Sequence, residues 1–299
     1  MELLKNSLFA GDGDLKRAVI PRNKKGSKAE NGSVAIIGGC SLYHGAPILA
    51  SLAVQQSLAS LRIGTGYVVL HVPYAIVDAA RALSPNVIVK PFGKSDIGSG
   101  KFDDVRKSVD KADAVVIGSG IGRKPQTLRM SAKIIKYAID TGKKVVVDAD
   151  AIYSARILHE MCSNTIVTPQ ENEFRELFGK FPDKENIRRR IEQAKEVALD
   201  LNSCVLLKGH YTIVTNGKKT KIVASSSSAL ATMGTGDVLS GMIGGYAAAG
   251  ADIFRAGIAA ALLHSRIGDA LHTKKGNHIL ASDVVEMIPE MAKPYDIER

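Results

Sequence analysis

The sequence predicts an α/β protein built in three layers, with helices on both faces of a central, mostly parallel sheet. Two observations carry this expectation. Short runs rich in Val and Ile alternate with longer segments of helical periodicity along the chain. Most of those runs are apolar at consecutive positions rather than at every second one, as strands covered on both faces must be.

In chain order, residues 34–37 read as the first strand and 46–61 as a helix, with Pro47 suited to its first turn. Residues 67–72, 87–89 and 114–117 read as strands, 126–141 as a helix, and 145–147 and 166–167 as strands. Thr168-Pro169-Gln170-Glu171 reads as a capping box, Thr168 the N-cap and Glu171 the third helical residue. Phe174, Leu177 and Phe178 follow at helical spacing and are expected to face the core. A helix over 184–201 leads to strands at 205–207 and 212–214. Asn216-Gly217 then reads as a two-residue hairpin turn into a strand over 221–223. Helices over 236–249 and 253–271 and near 282–291 complete the chain. No Pro/Gly/Ser linker and no internal repeat divides it, so 1–299 reads as one domain.

Composition narrows the class. The chain has 299 residues, 45% hydrophobic and 23% charged, as a soluble globular protein has. Its three cysteines, Cys40, Cys162 and Cys204, stand far apart and suggest neither a zinc site nor a disulfide framework. The first residues lack the pattern of a signal peptide, and the apolar stretches are broken well before membrane-spanning length, so a cytoplasmic protein without a membrane partner is expected. The net charge of +10 comes without a basic run interleaved with aromatics, which argues against nucleic acid as a partner. Arg188-Arg189-Arg190, with Glu185, Glu192 and Glu196 around it, reads as a solvated helix face. The excess charge suits a polyanionic small molecule such as a nucleotide.

Chemistry concentrates after strands and before one helix. Met233-Gly234-Thr235-Gly236-Asp237 opens an apolar helix. Its two glycines let backbone N–H groups converge at the positive end of a helix dipole, a place suited to phosphate. Asp237 in the first turn is placed to take a proton from a nucleophile attacking that phosphate; the competing reading is a favourable first-turn acid and nothing more. Gly38-Gly39 follows a strand, and so do the alternating glycines of Gly118-Ser119-Gly120-Ile121-Gly122, where backbone approaches either a ligand or a neighbour. Arg62-Ile63-Gly64-Thr65-Gly66 reads as a structural turn. Asp148 and Asp150 stand at a strand end, to coordinate magnesium or hold a sugar hydroxyl, or with Asp150 capping a helix. Capping accounts for Thr168 and Glu171 but leaves Gln170 and Glu173 unexplained. Lys208 leaves a strand where it can reach phosphate. The seven histidines form no metal-binding pattern, and His264 reads as a hydrogen-bonded helix residue.

Taken in order, GGCSLYHGAPILA, ADAVVIGSGIG, VVDADAI, TPQENEFREL, VLLKGHYTIVTNG and MGTGDVLSG resemble the ribokinase-like NAD(P)H-hydrate dehydratase family. The resemblance runs from Arg22-Asn23-Lys24-Lys25-Gly26 to Ala281-Ser282-Asp283, without a counterpart of the N-terminal epimerase domain that some members carry. It implies a hydro-lyase that repairs hydrated NADH or NADPH: the ring hydroxyl is phosphorylated from ADP or ATP, and phosphate then leaves. By this resemblance Asp237 is the catalytic base, Gly234, Thr235 and Gly236 the anion cradle, and Lys208, Gly209, His210, Tyr211, Thr212 and Gly236 contact the nucleotide. Ala46, Gly122, Gln170 with Glu173 of its segment, and Asp237 contact the hydrated dinucleotide. Magnesium and a homo-oligomer are expected with it, and no dedicated metal ligands are visible. The chain departs from many bacterial members in having Gln170-Glu171-Asn172 for His-Pro-Gly and Ser226–Ser228 for Asn-Pro-Gly. Two other readings stay open: a kinase of the same fold acting on a vitamin precursor or sugar, and a non-catalytic nucleotide-binding regulator. The first would lack GGxxxYxGAP and TPxxxEF together; Asp237 argues against the second.

Overall fold

The computed structural model describes residues 8–21, 25, 27–59, 67–225 and 227–297. The turn read at Arg62–Gly66 and position Ser226 lie outside them, as do residues 22–24 and 26, where the family resemblance begins. Nine strands form one sheet: β1 (Ser33–Ile37), β2 (Tyr67–Val72), β3 (Ile88–Pro91), β4 (Ala114–Ile117), β5 (Lys144–Val147), β6 (Thr165–Val167), β7 (Cys204–Leu207), β8 (Tyr211–Thr215) and β9 (Thr220–Ala224). Their order is β3-β2-β1-β4-β5-β6-β7-β8-β9; the pairs from β3 to β7 are parallel, and β8 and β9 are added antiparallel. The expected strands are all present, β3 running to Pro91 on the sheet's edge, where a missing N–H costs no ladder bond.

Eleven helices are described: α1 (Asp12–Ala18), α2 (Gly45–Ala59), α3 (Val77–Leu83), α4 (Phe102–Lys111), α5 (Pro125–Asp140), α6 (Ala155–Leu158), α7 (Glu171–Phe178), α8 (Ile187–Asp200), α9 (Thr235–Ala248), α10 (Ile253–Lys275) and α11 (Ala281–Ala292). Alternate residues of each central strand serve opposite layers. Val34, Ile36, Val116, Val146 and Leu206 pack with α2, α9, α10 and α11. Ala35, Ile37, Val115, Val145 and Val147 pack with α4, α5, α7 and α8. Both faces are therefore apolar, which is why the strands read as continuous runs. α9 is buried nearly all round between the sheet and α2, and Gly241 makes that possible: a Cβ there would stand 2.2 Å from the Ala50 carbonyl oxygen.

Three local expectations are corrected. The hairpin turn is centred one residue later than read, on Gly217-Lys218, because Asn216 already pairs with Lys219. Gly217 has φ +82° at the first central position, and the Asn216 carboxamide accepts the Lys218 and Lys219 N–H groups instead of entering the turn. The capping box at the start of α7 falls two residues later: the Glu173 carboxylate accepts the N–H of the N-cap Gln170 at 2.8 Å. Thr168 is held in the sheet instead, its N–H on the Val147 carbonyl. Third, Arg190 is not solvated. It is 3% exposed, on the same face of α8 as Ala194 and Val197.

The chain leaves β1 toward β2 and β3 on one side, then returns to build β4 to β7 on the other, so the order reverses between β1 and β4. Open α/β sheets bind ligands beyond the carboxyl ends of the strands at such a point. The loops after β1 and β4 meet there, Gly39 N–H donating to the Ser119 carbonyl at 2.7 Å. Gly118, at φ +132°, must be glycine, since a Cβ would stand 1.8 Å from the Asp148 carbonyl oxygen.

Candidate active site

A cleft of about 970 Å³ opens over the carboxyl ends of β5 to β7 and the start of the antiparallel β8, walled on the far side by residues 227–237 and by α10. Asp237, Gly234, Thr235, Gly236, Gln170, Glu173, Lys208, Gly209, His210 and Thr212 all line it. Segments far apart in the chain are thus brought together by the strands that deliver them.

The N-terminus of α9 points into this cleft. Gly234 is its N-cap at φ +89°, a conformation other residues rarely adopt. The cradle is narrower than the sequence implies, because Thr235 is turned away. Its hydroxyl donates to the Leu230 and Thr232 carbonyls and its N–H to Thr232, so Thr235 shapes the loop rather than offering a donor. Among the described residues the N–H groups of Gly236 and Asp237 have no acceptor, as a helix's first donors do not. Gly236 is not needed as glycine by the fold. Its φ is not positive, and the nearest atom to a Cβ there is the Lys208 ammonium at 3.5 Å.

Acids gather around one lysine. Lys208 Nζ donates to Asp148 Oδ1 at 3.0 Å, and the Thr168 hydroxyl donates to the same oxygen at 2.5 Å. Burial works against the Lys208 charge, but Asp148, Glu173 and Asp237 outweigh it and hold its pKa above the usual value. Burial pushes Asp237 up to about 6, with repulsion from Asp148 adding to it. The Ser119 hydroxyl opposes that shift from beside Asp237, outside good hydrogen-bond geometry. Glu173, 6% exposed, is raised for the same first reason, burial, against the attraction of Lys208. Asp148 and Asp150 do not act as a pair. Asp148 turns to Lys208, while Asp150 accepts the Gly122 N–H at 3.0 Å and pairs with Arg123 at 2.8 Å.

The remaining expected residues fall in two groups. Tyr211 lies off the cleft wall, its ring edge against His210. Ala46 and Gly122 are also off this wall. Ala46 stands against the β4 loop, where a Cβ on Gly120 would be 3.4 Å from its own. His264 does line the cleft, but its Nε2 has no partner among the described residues, and burial lowers its pKa to about 4, so it is neutral. The residue the sequence reading missed is Arg190. From below the loop it donates to the Lys208 carbonyl at 2.9 Å, the Tyr211 carbonyl at 3.2 Å and Glu171 Oε1 at 2.8 Å. The signal was in the spacing: Arg190 falls three residues after Ile187 and four before Ala194, on the apolar face. Arg190→Met removes a donor from two carbonyls and from Glu171, which keeps only the exposed Lys184 at 3.3 Å. A loss of about 2–4 kcal/mol in urea unfolding is expected, with weaker ADP binding.

A sequence model of the NAD(P)H-hydrate dehydratase family matches residues 34–290. The chain belongs to that family. It is 32% identical over 283 residues to the ADP-dependent (S)-NAD(P)H-hydrate dehydratase of Nitrosopumilus maritimus, covering 94% of this chain and 96% of that one. Among solved structures, a ribokinase-like superfamily protein from Enterococcus faecalis superposes with TM-score 0.82 at 22% identity, over 97% of this chain and 96% of that one. An ADP/ATP-dependent NAD(P)H-hydrate dehydratase from Bacillus subtilis, co-crystallised with ATP and Mg2+, superposes with TM-score 0.75 at 23% identity, over 97% and 99%. Those two likenesses establish the ribokinase-like fold. Within the dehydratase family the chain is a nucleotide-dependent hydro-lyase of NAD(P)H repair.

Proposed function

We propose that the chain restores NADH and NADPH from their hydrates in two steps at this cleft, with Asp237 as the base. The ring hydroxyl attacks the terminal phosphoryl group of ADP or ATP while Asp237 accepts its proton. An O–P bond forms to the ring oxygen, and the bridging P–O bond breaks to release AMP or ADP. Phosphate then leaves the ring carbon, and loss of a proton from its neighbour restores the double bond. One observation carries the reading: a half-buried carboxyl, raised to a pKa of about 6, stands in the first turn of α9, beside the unpaired Gly236 and Asp237 amides and the Lys208 ammonium. A base with a pKa near the working pH, next to donors for phosphoryl charge, is what such a transfer requires.

Magnesium belongs with the nucleotide in this proposal. Among the described residues no group of three metal-ligating side chains converges. The donor set nonetheless suits a divalent cation, since three carboxylates share one ammonium and leave the cleft short of positive charge for phosphate. Asp148 or Glu173 would supply one oxygen, the phosphates and water the rest, and the ion would neutralise phosphoryl charge. Cytoplasmic residence and homo-oligomeric assembly are part of the same reading, and sedimentation of the purified chain tests the latter.

The decisive experiment mixes the chain with hydrated NADH or NADPH, magnesium and either ADP or ATP, and follows the return of dihydronicotinamide absorbance. Recovery only with nucleotide is expected. Turnover without nucleotide, or phosphorylation of a vitamin precursor in its place, would overturn the proposal. Because a base works only when ionised, kcat/KM is expected to rise with pH through about 6 and to level off above. A limb near the usual carboxylate range would remove Asp237 from that role. Gln170, exposed at the lip and without a side-chain partner among the described residues, is proposed to hydrogen-bond the hydrate. Gln170→His keeps activity within about tenfold because either side chain can donate one bond, whereas Gln170→Ala weakens substrate binding by about 1–3 kcal/mol. Unchanged KM in the alanine variant would exclude the contact.

A further inference from the structure

A second cavity, of about 950 Å³, lies at the same edge of the sheet and is not used by the chemistry above. Tyr74, directly after β2, and Lys90, Gly93, Lys94 and Ser95, at and after the end of β3, line it, with Asp104 as its one carboxylate. Tyr74 is 74% exposed, so a face of its ring is open to a stacking partner. Lys94's ammonium has no partner among the described residues, and Lys90 donates only to the Ser108 hydroxyl at 3.3 Å. A flat apolar face beside two underused cations suits a stacked base carrying phosphate.

The cavity is joined to Asp237 by an unbroken chain of contacts. Ser119 faces Asp237. Its carbonyl holds the Gly39 N–H, and Gly120 next to it lies against Tyr43. From that loop Ser41 N–H donates to the Ser95 carbonyl at 2.9 Å, on the cavity wall. Leu42 and Tyr43 are exposed along the way. β4 and β3 are three strand spacings apart in the sheet, roughly 14 Å, a span that an extended pyrophosphate-linked dinucleotide covers.

We propose that this cavity receives the adenosine half of the hydrated dinucleotide, with the base stacked on Tyr74 and its phosphate between Lys90 and Lys94. The proposal rests on the function argued above and assigns the substrate's distal end to residues outside the nucleotide cleft. Ala46 and Gly122, which are off that cleft, then fall between the two sites, on the path the substrate follows.

The test compares three substrates: hydrated NADPH, hydrated NADH and the hydrate of reduced nicotinamide mononucleotide, which lacks the adenosine half. Tyr74→Ala and the double variant Lys90→Ala/Lys94→Ala should raise KM for both dinucleotides about tenfold, as loss of a stacked base or a charge-assisted contact does, with kcat nearly unchanged. KM for the mononucleotide hydrate should not move. A larger effect on the NADPH hydrate would place its 2′-phosphate at the lysines, an equal one the pyrophosphate. Asp104→Asn should lower KM for the dinucleotides. Unchanged KM in the first two variants, or an equal rise for all three substrates, would overturn the proposal. If the wild-type chain restores no hydrate, the proposed function has failed, and binding of 2′-phospho-ADP-ribose with the cleft saturated by ADP decides this cavity by itself. Weaker binding in the lysine variant supports it, and unaltered binding refutes it.

Discussion

Asp237→Asn is expected to lower turnover by roughly a hundredfold or more while leaving nucleotide affinity nearly unchanged. The amide keeps the shape and hydrogen bonds of the carboxyl but cannot accept the hydroxyl proton. Stability should move the other way. Burial and Asp148 raise the folded-state pKa of Asp237 to about 6, so its ionised form is disfavoured in the folded protein. The folded chain therefore binds this proton more tightly than the unfolded chain, and this group adds stability as pH falls from about 6 toward the ordinary carboxylate range. Above that range the buried charge is a burden, on the order of 3 kcal/mol for a shift of this size. The amide of the Asp237→Asn variant carries no charge, so that variant should melt at the same or a higher temperature at neutral pH. Lost activity with unimpaired stability distinguishes a base held ready for chemistry from a helix-capping acid, whose removal lowers stability and leaves turnover intact. Wild-type turnover in the variant would return Asp237 to the capping role.

Gly236→Val is expected to abolish both nucleotide binding and turnover. A branched side chain there fills the space above the free Gly236 and Asp237 amides and crowds the Lys208 ammonium. The requirement for positive φ falls on Gly234 and not on Gly236, so the substitution does not force a forbidden backbone. Gly236→Ala sharpens the comparison. Alanine is the better helix former by up to about 1 kcal/mol, so this variant should fold at least as well as the parent while binding ADP and ATP poorly. Thermal melting and calorimetric titration read the two effects separately. If folded Gly236→Val binds ADP and ATP normally, phosphate lies elsewhere and the cradle is refuted.

Most of the architecture was legible because its causes are local. Short runs of consecutive Val and Ile mark strands covered on both faces, and Pro, Gly and capping residues mark where helices begin and end. The ordered motifs were legible for the same reason: Met233–Asp237, Lys208–Thr212 and Thr168–Phe174 each sit at a strand end or a helix start, and the parallel sheet delivers all of them to one edge. Where the reading failed, a long-range partner had outvoted a local preference. Thr168 has the chemistry of an N-cap, but the sheet holds its backbone and Asp148 takes its hydroxyl, so Gln170 and Glu173 cap α7 instead. Arg190 sits in a run of three arginines that looks solvated, yet helical phase points it inward, where two carbonyls and Glu171 satisfy it.

Residue order by itself determined the layers, the strands and the placing of an acid in the first turn of α9, since each follows from propensity, period or spacing within a short window. Only the tertiary structure decided which acid meets which base. Asp148 and Asp150 are two residues apart, but the turn after β5 sends one to Lys208 and the other to Gly122 and Arg123. It also decided the character of Asp237, because its pKa is raised to about 6 first by burial in the cleft and then by Asp148, and the segments that bury it lie far away in the chain. Electrostatics and burial act through space, and sequence separation carries no measure of either.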